Sequence, residues 1–271
     1  MRRNNFILGA DPEVFLLHSN KKPKSAIDII KGTKENPFKI SNDGHSVQVD
    51  NVLLEFNVPP SDHYEKMYND IQVVIDWFYS NLPKGDEVSM DSSMDFPKEE
   101  LNHPKALEFG CDPDFSAWKV EMNESPNPDT TLRTAGGHIH ISYPNANMDK
   151  SLAIIRACDL FLGVPSVLFD NDTKRRLLYG KAGAFRFKNY SDGSQGVEYR
   201  TLSNFWIKSK LMVEMIFDQM DKVFDYVNSN DIIDNESDLG MNIIKCIDNS
   251  DKEFAVKLIE KYDIIDLNKY K

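Results

Sequence analysis

Five segments of this chain carry two polar, metal- or phosphate-competent side chains at positions i and i+2. Asp11 and Glu13 sit in GADPEVF, Glu55 and Asn57 in LLEFNVPP, and Asp112 and Asp114 in GCDPDF. His138 and His140 follow in GGHIHIS, then Glu198 and Arg200 in GVEYRTL. Side chains two apart on a strand point to one face, so each pair aims together. Five such strands can line one concave face with carboxylate, imidazole and guanidinium groups, which bind divalent metals and phosphates. The plain alternative is the wet face of a sheet. Wet faces, however, favour Thr, Lys, Ser and Arg, whereas nine of these ten positions, all but Arg200, hold Asp, Glu, His or Asn. Carboxylates converging on one face repel each other, and a cation is their natural compensation.

The chain of 271 residues is long enough for a substantial core, as one large or two ordinary domains. Hydrophobic residues make up 41% and aromatics 11%, a globular composition. A net charge of −11 repels phosphate backbones, so neither nucleic acid binding nor membrane binding is expected. Cys111, Cys158 and Cys246 are far apart and lack zinc-site spacing, which fits a reducing cytosol. The apolar stretch FILGA is too short for a signal peptide, and no run is expected to reach the ~20 apolar residues of a spanning helix. The expectation is a cytoplasmic protein.

Along the chain, Phe6 to Leu17 reads as a strand interrupted by Pro12, and Val47 to Val58 as a second strand closed by Pro59-Pro60. With Ser61-Asp62 as its cap, a helix follows with Tyr64, Met67, Ile71, Val74 and Phe78 on one face. Residues 82 to 105 are a long connection. Further strands are expected over Leu107 to Val120, Leu132 to Tyr143 and Gly196 to Trp206. The 123–131 loop beside the histidine strand is a candidate lid. Ser151 to about Asp170 reads as a helix that Pro165 kinks or ends, and Lys210 to Val227 as a strong helix. Residues 231 to 271 read as two shorter helices. Strands with interspersed and terminal helices argue α+β with an antiparallel sheet.

Each remaining motif has two readings. In GGHIHIS the histidines share a face, as core or as ligands, and Gly136-Gly137 permits close approach of another backbone or a phosphate. Glu198 and Arg200 are either a structural ion pair or a metal ligand beside a phosphate contact. KRRLLYGKAGAFRFKNY brings Lys174, Arg175, Arg176, Lys181, Arg186 and Lys188 together in an otherwise acidic protein. Gly180 and Gly183 suit close approach to a ligand, which makes nucleotide phosphates a reasonable target. It is not a P-loop. Asp112 or Asp114 is a candidate general base or amine anchor.

In order, GADPEVF, DNVLLEFNVPP, GCDPDFSAW, RTAGGHIHIS, RRLLYGKAGAFRFK and GVEYRTLSNFW resemble the glutamine-synthetase-like carboxylate–amine ligases. The set is most similar to the type-2 COOH–NH2 ligases (amidoligases) often encoded by bacteriophages. The resemblance implies a glutamine-synthetase-like curved antiparallel sheet over residues 1–206, with a helical region over 207–271 packed on it. It implies ATP and Mg²⁺, with Mn²⁺ a substitute, and Glu13, Glu55, His138 and Glu198 as metal ligands. Arg200 becomes a phosphate contact and His140 an orienting group, while Arg176 and Arg186 bind phosphates or stabilise the transferring group. Arg175 and Lys181, from the basic run itself, are further candidates for nucleotide phosphates. Asp11 departs from the family's paired glutamates. The implied reaction joins a small-molecule or peptide carboxylate to an amine through an acyl phosphate, in the host cytoplasm if the gene is phage-borne. A guanidino phosphotransferase on the same fold, or a non-catalytic nucleotide- or metal-binding protein acting on a host partner, are the competing readings. Oligomeric state is not set by these residues.

Overall fold

A computed structural model describes residues 5–107, 114–124, 130–190, 192–229 and 232–270. Seven strands build the part of the sheet that matters for function. They are β1 (Ile7–Ala10), β2 (Glu13–Leu17), β3 (Ser46–Asp50), β4 (Leu53–Ser61), β5 (Ile139–Ser142), β6 (Ala184–Asn189) and β7 (Gln195–Tyr199). Their spatial order is β6-β7-β5-β1-β4-β2, with β3 paired to β4, and every pairing is antiparallel. Short strands extend the edges: Phe115–Ser116 pairs with β6, and Pro23–Lys24 and Glu87–Ser89 pair with β2. The α+β architecture with an antiparallel sheet and flanking helices is as expected.

Several boundaries differ from the sequence reading, each for a local reason. Val47 to Val58 is not one strand but a hairpin. Asn51 takes φ 53°, the left-handed turn conformation that Asn tolerates, and joins β3 to β4. β4 runs through Pro59-Pro60 to Ser61, because its register to β1 shifts between the Leu8–Ser61 and Ala10–Val58 pairs. Prolines are tolerated in such an irregularity, where no ladder N–H is required. The cap of helix α1 (Tyr64–Asn81) is therefore His63, whose ring accepts the Glu65 N–H, rather than Ser61-Asp62. Leu132 to Tyr143 is likewise two strands: Leu132–Thr134 pairs with Ser93–Asp95 in a separate ribbon, and β5 begins after His138. The Gly196–Trp206 strand stops at Tyr199 and gives way to a 3₁₀ turn, Asn204–Lys208. Asp112 and most of the candidate lid lie outside the described residues, and Phe115–Ser116 is the described strand within 107–120.

The helices cover one face. α1 buries Met67, Ile71, Val74, Ile75 and Phe78, matching its three-and-four spacing. α2 (Met148–Cys158) passes through a π turn (Asp159–Gly163) into α3 (Val164–Phe169). Pro165 follows directly on this π turn, the helix irregularity beside it, and the helical run continues past it to Phe169. By length and composition this Met148–Phe169 helix could cross a membrane, contrary to the sequence expectation. Here Ile154, Ile155, Leu160, Val164 and Val167 are buried in the core. α4 (Lys210–Asn228), α5 (Asp238–Asp248) and α6 (Lys252–Tyr262) join the same core through residues such as Phe217, Ile243 and Ile259. The β3–β4 hairpin is pinned to α1 by His45: its Nδ1 lies 2.7 Å from Ser41 Oγ and its Nε2 3.1 Å from Asp70 Oδ1.

The π turn ties helix to sheet through Asp159, which is fully buried. Its carboxylate accepts Tyr199 Oη–H at 2.7 Å and Trp118 Nε1–H at 2.6 Å. Burial still pushes the carboxyl up from 3.8 to about 7. The folded state thus holds an extra proton between about pH 4 and 7, so this group's stability is present below that window and lost as pH rises through it. Asp159→Asn removes the titration. Relative to the parent, its unfolding free energy in urea is expected to improve by on the order of 3 kcal/mol between pH 5 and pH 8. A difference that does not move with pH refutes this account.

Candidate active site

Antiparallel register sets the side chains in rows across the sheet. In one row Arg186 on β6 faces Glu198 on β7, which faces His140 on β5, which faces Gly9 on β1. In another, Glu13 on β2 faces Glu55 on β4, which faces Gln48 on β3. Like charges directly opposite one another destabilise a strand pair, and both glutamates are buried, at 8% and 5% exposure. The rows open into a pocket of about 200 Å³. Asp11, Glu13, Asp50 and Glu55 line it from the N-terminal strands. His138, His140, Arg186, Lys188, Glu198 and Arg200 line it from the later ones.

Charges in the second group are interlocked. Arg200 Nη1 pairs with Glu198 Oε1 and lies 3.3 Å from His138 Nδ1, while Arg200 Nε donates to Asp114 Oδ2 at 3.1 Å. Lys188 Nζ donates to Glu198 Oε2 at 3.0 Å, and Arg186 Nη1 stands 3.8 Å from Glu198. Burial and the Asp11 charge push the Glu198 carboxyl upward, but Arg200, His138 and His140 outweigh them and hold it down at about 2. Asp11 reaches His140 Nε2 at 3.1 Å and His138 Nδ1 at 3.5 Å. Its burial is likewise outweighed by the histidines, which hold it well below the usual carboxylate range.

The first group is under-compensated. Glu13 Oε2 accepts the Gly136 N–H at 2.6 Å, yet burial still raises its carboxyl. Burial and the charges of Asp11, Asp50 and Glu13 raise Glu55 well above the usual range. Glu55 Oε2 and Asp11 Oδ1 are buried oxygens without a hydrogen-bond partner. Asp11, His140 and Glu198 each offer a ligand atom, all within 4.8 Å of one another. A mixed oxygen and imidazole set with orphaned carboxylate oxygens fits Mg²⁺ or Mn²⁺.

All four residues expected as metal ligands, Glu13, Glu55, His138 and Glu198, line this pocket. The tight three-ligand group nevertheless recruits Asp11 and His140. Arg186 and Arg200 line the pocket, and Arg175 lines a smaller neighbouring one. Arg176 does not line either: its guanidinium donates to Ser166 Oγ and Ser250 Oγ, bracing the helices. Lys181 is exposed, and its carbonyl accepts Thr201 Oγ1–H. Asp114 is held by Arg200 and by Asn123 Nδ2 at 2.8 Å, away from the pocket lining. The glycines admit close approach by the chain's own groups. A Cβ on Gly136 would strike the His138 ring and one on Gly137 the Ser203 carbonyl; Gly180 would strike Arg175 and Gly183 would strike Trp118.

Gln48, Asp50 and Arg133 were not anticipated. Gln48 and Asp50 form a further i, i+2 pair in SVQVD, masked by the nearly continuous strand formers of VQVDNVLLEFNV. Arg133 is buried and donates to Asn51 Oδ1 and to the Ala106, Thr130 and Leu132 carbonyls. No strand-face pattern marks it.

Glu55→Gln removes one of the opposed buried charges. In metal-free buffer at pH 8 the variant is expected to be more stable than the parent by about 1–2 kcal/mol. The gain shrinks as pH falls and Glu55 takes up its proton. The variant also loses part of the melting-temperature rise that millimolar Mn²⁺ gives the parent, and an unchanged metal response would remove Glu55 from the ligand set.

Among curated proteins none matches the chain. Among solved structures it is similar to a bifunctional glutathione synthetase from Pasteurella multocida, at TM-score 0.47 and 10% identity, over 95% of this chain and 49% of that one. It is also similar to a novel glutamine synthase homolog, at TM-score 0.44 and 10% identity, over 96% of this chain and 66% of that one. The chain thus spans about half the length of the first. Neither likeness bears on activity. Residues 127–237 match the model of the family described as phage phiEco32-like COOH–NH2 ligase, type 2. That stretch, which supplies His138, His140, Arg186, Lys188, Glu198 and Arg200 to the pocket, carries the type-2 COOH–NH2 ligase family pattern.

Proposed function

We propose that the chain is an ATP- and Mg²⁺-dependent carboxylate–amine ligase that forms an amide through an acyl phosphate. One observation supports this above the others. A single pocket combines under-compensated buried carboxylates with a cationic wall of Arg186, Lys188 and Arg200, and its cationic half lies within the family match.

Glu13, Glu55, His138 and Glu198, joined by Asp11 and His140, would hold the divalent ions. Such ions, when bound, neutralise phosphate charge and so ease phosphoryl transfer to a carboxylate. Arg200, fixed by Asp114 and Glu198, presents its guanidinium in a set orientation to a phosphate. Arg186 and Lys188 add positive charge beside it, where charge builds during transfer. Arg175 approaches from the neighbouring pocket. The substrates are a small-molecule or peptide carboxylate and an amine. The reading extends to a phage-encoded enzyme acting in the host cytoplasm. The family's description and the free, buried thiols of Cys158 and Cys246 agree with that.

The test is an ADP-release screen with Mg²⁺ that crosses candidate carboxylates with candidate amines. His138→Ala and Glu198→Gln are expected to lower turnover at least ~100-fold while circular dichroism shows a folded chain. Near-parental, ATP-dependent ligation by either variant would overturn the site assignment.

A further inference from the structure

The 200 Å³ pocket shares a wall with a smaller one of about 40 Å³, and Glu13, Asp50, His138 and Arg200 line both. Arg133, Arg175 and Tyr179 line the smaller pocket alone. The proposed reaction transfers a phosphoryl group to a carboxylate and then joins that acyl group to an amine. Both steps act on one carboxyl group, and the junction of the two spaces is a place where both reactants can reach it. A group that lines both is placed to touch the reacting atoms.

Most carboxylates here are already engaged. Asp11 faces two histidines, Glu13 accepts the Gly136 N–H, and Glu198 is gripped by Arg200 and Lys188. Glu55, whose Oε2 has no hydrogen-bond partner, faces Glu13 among the expected metal ligands. Asp114 is tied to Arg200 and Asn123 outside the lining. Asp50 differs. It ends β3 at the hairpin turn with its side chain 13% exposed, and Lys34 Nζ stands 3.4 Å from its Oδ2. That distance is long for a charge-assisted hydrogen bond. A cationic amine nitrogen therefore already sits against this carboxylate, loosely enough to be exchanged for another.

We propose that Asp50 is the catalytic base that receives the amine substrate and takes its proton; the assignment rests on the ligase reading above. The amine arrives as an ammonium ion in place of Lys34 and gives one proton to an Asp50 carboxylate oxygen. The freed nitrogen lone pair forms the C–N bond at the acyl-phosphate carbon, and the C–O bond to phosphate breaks. The second nitrogen proton leaves with the inorganic phosphate, and Asp50 returns its own proton to solvent. Lys34 is a positioning residue that holds the Asp50 side chain in place between turnovers.

The experiment compares two nucleophiles. Methylamine is protonated at neutral pH and needs a base, whereas hydroxylamine is largely unprotonated and does not. Both are supplied with ATP, Mg²⁺ and whichever carboxylate gives most ADP release in a panel of free amino acids, dicarboxylates and short peptides. In Asp50→Asn the ratio of methylamide to hydroxamate is expected to fall by about 100-fold or more, the scale of a lost general base. Asp50→Glu is expected to recover part of it. A loss of both products in equal proportion, or of neither, would overturn the role of Asp50 while leaving the ligase reading in place. If the parent forms neither product, the ligase reading falls and the assignment falls with it.

Discussion

The pairing of Glu13 with Glu55 across neighbouring strands is the constraint on which the rest of the site depends. Two buried carboxylates in direct register are a standing electrostatic cost. The sheet contains that cost by distributing charge. Gly136 gives Glu13 a backbone hydrogen, Gln48 lies beside Glu55, and the histidines and Arg200 hold the neighbouring acids ionised. What remains is a pocket whose acidic side is short of cations and whose other side holds Arg186, Lys188 and Arg200. Such an asymmetry favours a ligand that is itself bipolar, with metal ions toward the acids and phosphates toward the guanidinium groups.

Much of this was legible because a strand imposes a period of two. The pairs at 11/13, 138/140 and 198/200 do converge on one pocket, and Glu55 joins them with Asn57 beside it. The amphipathic spacing of α1 and α4 was equally plain, since a helix face announces itself within a few turns. The hairpin was less visible. VQVDNVLLEFNV is nearly continuous in strand formers, and its turn rests on Asn51 alone adopting a left-handed conformation.

Other features depend on tertiary placement that no local pattern encodes. Arg175 and Arg176 are adjacent in sequence, yet one lines a pocket and the other braces Ser166 and Ser250. Arg133 is buried because distant acceptors, the Ala106 carbonyl and Asn51 Oδ1, take hydrogen bonds from its guanidinium. The glycines that marked close approach, by a backbone or a ligand, sit against His138, the Ser203 carbonyl, Arg175 and Trp118. Small residues beside polar motifs signal close approach, but not what approaches.

The four-residue strand β1 has a consequence for how the molecule comes to exist. It lies between β4 and β5, so it joins an acidic half-sheet from residues 13–61 to a histidine–arginine half-sheet from residues 139–199. Each half can form from neighbouring sequence, but pairing Gly9 with His140 closes a very long loop. Such non-local pairing is entropically slow. The hairpin that sets Glu55 is thus expected to form early and wait, with its charges still open to water, until this short seam closes. The pocket is then born in a single late event rather than accumulated strand by strand.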